Sequence, residues 1–122
     1  MSRRLVVGWV LTIVLGMLFL ASAVGKFVRP QSLVESFTRW GLIHVLTPIA
    51  VGETLCATLF LMPRTHSLGV LLLSAYLGAA TATHLSHNEP PIVPVGVLVL
   101  LWLTGWLRNP KLLGELIPER IP

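Results

Sequence analysis

Glu53 stands inside an otherwise uncharged apolar stretch, residues 46–62. It lies seven residues into that stretch, which at a helical rise of about 1.5 Å puts it roughly 10 Å below the segment's end. If the segment crosses a bilayer, a carboxylate at that depth is costly unless it is paired, so a partner has to be found. Two residues reach the same half of such a membrane. Lys26 closes the first apolar stretch, and its long side chain can fold inward from the interface. His84 closes the third, with Thr81 one turn below it; Ser22 sits one turn below Lys26 in the same way. Together these groups could hold a hydrogen-bonding ligand and relay protons, with Glu53, Lys26 and His84 as the reactive members and Ser22 and Thr81 beside them. In the plainer reading, Glu53 and Lys26 form an ion pair that only holds helices together, and His84 is an ordinary interfacial histidine.

Other chemistry is sparse. Cys56 lies one turn from Glu53 and could join its face, but with no base or second thiol nearby in sequence it reads first as a small buried apolar side chain. As the sole cysteine it excludes an intrachain disulfide and a Cys-x-x-Cys metal site. His44, His66 and His87 fall in connectors, where solvation is expected, and no i, i+4 histidine pair points to haem or a metal. The nucleophile elbow, phosphate loop, dinucleotide fingerprint and His-Glu-x-x-His motif are all missing. Any enzymatic role would have to belong to a membrane-embedded subunit.

The elements that must position these residues follow from hydropathy. Apolar residues make up 54% of the 122-residue chain and charged ones 11%, against roughly a quarter charged in soluble domains. Four apolar stretches, 5–24, 46–62, 67–84 and 92–107, predict an all-α chain forming one four-helix transmembrane bundle over 1–122. The first has about twenty uncharged residues, longer than the roughly 7–15 of a signal-peptide core, so a retained helix is expected. The connector 25–45 is the longest, and Leu33, Val34 and Phe37 suggest a short interfacial helix within it. Pro63 to His66 and His87 to Pro91 are tight breaks, and the tail over 110–122 has the pattern of an amphipathic surface helix.

The nine basic residues sit mainly in connectors, which fits membrane headgroups rather than nucleic acid. Arg3, Arg4, Arg64, Arg108, Lys111 and Arg120 would share one side, and Lys26, Arg29 and Arg39 the other. That bias predicts both termini in the cytoplasm. Trp40 and Trp106 lie where interfacial anchors are expected. Small residues recur every fourth position, Gly8, Thr12 and Gly16 in the first stretch and Ser74, Gly78 and Ala82 in the third. They predict close packing inside one bundle, with a seam between copies of the chain as the alternative.

The order Ala23-Val24-Gly25-Lys26-Phe27, Gly52-Glu53, Leu61-Met62-Pro63-Arg64 and Ala80 through His84 resembles the DoxX and DoxX-like membrane proteins over about 5–107. In those proteins a Gly-Lys, an intramembrane Glu and a terminal His recur in that order. The resemblance implies a four-helix bundle in the bacterial cytoplasmic membrane. It extends the binding set to Gly25, and it points to a redox association, since named members include small membrane subunits of thiosulfate:quinone oxidoreductase. A quinone is then the implied cofactor. The lone Cys56 gives no support for sulfur chemistry by this chain itself. Expected partners are membrane lipid and either a larger membrane complex or further copies of the chain. The competing readings are a non-catalytic structural or assembly subunit and, behind it, a small-solute transporter.

Overall fold

The computed structural model describes residues 1–114, all of the regular structure there being helical. Helix α1 (Arg3–Val28) starts at Ser2, whose hydroxyl oxygen accepts from the Leu5 N–H. It ends where Arg29 turns left-handed, φ 59°, and donates back to the Gly25 carbonyl. Pro30 then opens α2 (Gln31–Arg39), which buries Phe37 and half-buries Leu33 and Val34. A 3-10 turn, Ile43–Val45, leads into α3 (Leu46–Leu61). Met62, extended because it precedes Pro63, closes α3 and starts a tight reversal into α4 (His66–Ser86). Pro90 and Pro91 precede α5 (Ile92–Arg108), and Lys111–Gly114 forms the short α6. The remainder of the expected amphipathic tail lies outside the described residues.

The four longest helices pack in a ring, α1 against α3 and α5, α4 against the same two. A core of Leu15, Phe19, Ala57, Phe60, Val70, Leu73, Leu77 and Leu101 fills its middle. Val6, Val10, Ile13, Val14 and Met17 face outward from α1, an apolar surface suited to lipid rather than water. Three helical segments, Arg3–Val28, Ile43–Leu61 and His66–Ser86, are long and apolar enough to cross a membrane; α5 is apolar but shorter. Most threonine hydroxyls in these helices, such as Thr54 and Thr81, donate to the carbonyl four residues back, which satisfies those donors in an apolar setting.

Small residues set two of the close approaches. A Cβ at Gly69 would overlap the backbone of Phe60, so α4 can lie against α3 only with glycine there; one at Gly16 would overlap Leu61. Gly8 and Thr12 continue this buried face of α1 toward α5. The stripe on α4 behaves differently. Gly78 and Ala82 face outward, and nothing lies within 4 Å of a Cβ built on Gly78. The expectation that this stripe packs inside the ring is therefore corrected: α4 is rotated so that Leu73 and Leu77 point in and the slender face points out.

Candidate functional site

The ring places the end of α1 beside the start of α3, so Lys26 and Glu53 meet. Lys26 Nζ lies 2.9 Å from Glu53 Oε1, and the two residues are 6% and 2% exposed. The ammonium also donates to Ser22 Oγ, one turn back on α1, at 2.7 Å. Tyr76 of α4 brings its hydroxyl against Glu53 and Ser22, and its ring lies 5.8 Å from Lys26 Nζ. An ammonium has three N–H groups, and two of them are used by Glu53 and Ser22 among the described residues. The pair is buried yet carries no net charge.

Two cavities border it. One, of about 280 Å³, lies beneath α2 and reaches Lys26, with Phe37 and Trp40 above it and Ile49 and Tyr76 alongside. The other, of about 260 Å³, reaches Ser22 and Glu53 and runs between α1 and α5 past Phe19 and Val97. Tyr76, Ala80 and His84 border both. Their i, i+4 spacing puts them on one face of α4.

His84 thus stands at the cavity wall but makes no hydrogen bond to Lys26 or Glu53 among the described residues; its Nδ1 is 2.8 Å from the Ala80 carbonyl and its ring is 5.3 Å from Trp40. Thr81, Gly25 and Cys56 border neither cavity. Thr81 bonds the Leu77 carbonyl, Gly25 accepts the Arg29 cap, and half-buried Cys56 packs against the core.

Helix α2 is clasped over the first cavity. Glu89, in the turn before α5, forms a 2.9 Å ion pair with Arg39 Nη2, accepts from Arg39 Nε at 3.0 Å and accepts from the Trp40 indole at 3.2 Å. Partial desolvation raises the Glu89 pKa, but the hydrogen bonds from Trp40 and Arg39, the Arg39 charge and nearby His84 outweigh it and hold the carboxyl below its ordinary range. Trp40 is half-buried in the clasp, and Trp106 is exposed. Left-handed Arg29, φ 59°, and Gly41, φ 74°, bound this segment.

A second polar cluster lies at the opposite end of the ring, beside the chain's N-terminus. Arg108 Nη1 donates to Thr12 Oγ1 at 3.0 Å, and its guanidinium stacks 3.7 Å over Trp9. His66 is 3% exposed, with Nδ1 2.8 Å from the Phe60 carbonyl and Nε2 buried without a partner among the described residues. The expectation that His66 is solvated is corrected here, because the reversal after Pro63 folds its ring onto Phe60 at 4.8 Å. His44 and His87 are exposed. The apolar core separates the two polar ends. Among the described residues no three His, Cys, Asp or Glu side chains are gathered to hold a metal ion.

Sequence reasoning missed Tyr76, Glu89 and Arg108. Tyr76 could have been found two turns before His84 on the same face. Glu89 and Arg108 carried no signal of their own, since each depends on contacts between distant segments.

Long apolar helices with lipid-suited outer faces and a paired charge inside define a multi-pass α-helical membrane protein. The chain belongs to the DoxX-like family, whose profile matches residues 10–105. Neither a curated protein nor a solved structure matches it.

Proposed function

We propose that the protein is a small membrane subunit of a quinone-linked redox system, binding an apolar carbonyl compound beside the Lys26–Glu53 pair. In this reading α5 completes a four-helix transmembrane bundle in the bacterial cytoplasmic membrane, with both termini in the cytoplasm and the site in the outer half. The charge bias of the connectors supports that orientation. The observation that carries the binding role is a buried, self-neutralised ion pair with cavities on two sides. A pair serving packing alone would be enclosed by apolar side chains; this one has Lys26 and Tyr76 in the wall of the cavity beneath α2, and Glu53 and Tyr76 in the wall of the other. Tyr76, common to both cavities, would donate to a carbonyl oxygen, Lys26 would do so for a ligand beneath α2, Glu53 would hold Lys26 in place, and His84 would pass a proton toward the outer surface.

Protein purified in native lipid and extracted with solvent tests this. Wild type should carry a bound quinone, and a folded Lys26→Met/Glu53→Gln double variant should not. Equal quinone in both, or none in either, would reject the reading. The outward face of Gly78 and Ala82 favours a second reading, a non-catalytic assembly subunit. It requires co-purification with a larger complex and indifference to the double variant.

A further inference from the structure

The two cavities beside the ion pair differ in what surrounds their mouths. The one beneath α2 is capped by Phe37 and Trp40, and Glu89 holds that cap down through Arg39 and the Trp40 indole. The other has buried Glu53 at its inner end, while Leu18 and Val93 at its edge are 51% and 73% exposed. Leu18 lies eight residues before Lys26 on α1, which is about 12 Å further along the helix axis. In a helix that crosses a membrane, an exposed leucine at that depth faces hydrocarbon, so this cavity opens sideways into the bilayer.

We infer that the cavity between α1 and α5 is a lateral seat for an uncharged, membrane-dissolved molecule with a carbonyl or hydroxyl head and an apolar tail. A hydroxyl head donates to Glu53, a carbonyl head accepts from the Tyr76 hydroxyl, and the tail leaves past Leu18 and Val97 into the lipid. This rests on the ligand-binding reading above and adds the route and the ligand class. Three observations fix the class. Lys26 and Glu53 already neutralise each other at 2.9 Å, so a charged head would be buried without a counterion. Phe19, Leu77 and Val97 make most of the wall apolar. The volume of about 260 Å³ is below the usual range of about 300–1,000 Å³ for a whole ligand, so it suits a single ring whose tail lies outside.

The test uses decylubiquinone carrying a photoreactive diazirine close to its ring, added to full-length protein in phosphatidylcholine and phosphatidylglycerol nanodiscs. Adducts mapped by mass spectrometry are expected on Leu18, Val93 or Val97. Val97→Trp fills the cavity and should lower that labelling roughly tenfold, the change that one order of lost affinity gives, with thermal stability measured alongside. Because the wild-type adduct map needs no variant, a Val97→Trp protein that fails to fold leaves it decisive. Adducts confined to Phe37, Trp40 and Ile49 would place the quinone beneath α2, overturning the lateral route while leaving the proposed function intact. No adduct at either cavity of the wild type would overturn both.

Discussion

Removing one member of the Lys26–Glu53 pair should cost far more than removing both. Glu53 is 2% exposed and Lys26 is 6% exposed, so neither can turn to solvent when its partner is lost. Cutting one charge from such a pair costs about 3–5 kcal/mol, whereas replacing both with groups of similar volume is often near neutral. Lys26→Met keeps the length of the stem, and Glu53→Gln keeps an oxygen to accept from Tyr76 or Ser22. Each single variant should therefore lose about 3 kcal/mol or more, and the double variant should recover most of it, giving a coupling close to the sum of the two single losses, about 5–6 kcal/mol. The assay is equilibrium unfolding in mixed micelles for the four proteins of the cycle. Additive losses, with the double variant the least stable, would refute the geometry. A stable double variant that also retains cellular function would instead reduce the pair to a packing device.

Further outcomes follow from the same contacts. Gly69→Ala should destabilise the fold by about 1–3 kcal/mol, the usual cost of overpacking, because its Cβ meets the Phe60 backbone. Gly78→Leu should leave thermal stability of the isolated protein in detergent unchanged, since that face of α4 is open; a clear loss would show a partner copy there. The clasp should depend on pH in one direction. The Glu89 pKa is lowered in the folded state, so its contribution is present above the ordinary carboxylate value and lost as pH falls through the lower, folded value. Trp40 fluorescence should change in that acidic window and not in Glu89→Gln; the same transition in the variant would assign it elsewhere. Cysteine or reporter tags at Gln31 and His87 should read as outside and one at Arg64 as cytoplasmic, and reversed signals would invert the proposed orientation.

Depth along a helix is legible in a sequence, and rotation about its axis is much less so. Glu53, Lys26 and Ser22 could be placed in one layer because a fixed rise converts residue count into height. Their contact then needed only adjacent helices. Thr81 and Tyr76 show the limit. Both lie in the helix that ends with His84, yet Tyr76 borders both cavities and Thr81 neither. The angle between those outcomes is set by the seating of Gly69 on Phe60, a contact between two helices that no periodicity announces. The same rotation turns Gly78 outward. His66 looked like a connector residue because Pro63 marks a break, but the reversal is so tight that the next helix begins at His66 and buries it. The Glu89 clasp joins segments fifty residues apart in sequence, Arg39 and Glu89. Only the closed ring brings them together.

Whether the Lys26–Glu53 pair forms part of a ligand seat is read from a density map of the protein in native lipid, held by a rigid antibody fragment. An elongated density should enter between α1 and α5, with its head against Glu53 and Tyr76. A bundle closed over the pair, with density only from annular lipid outside the ring, would contradict it.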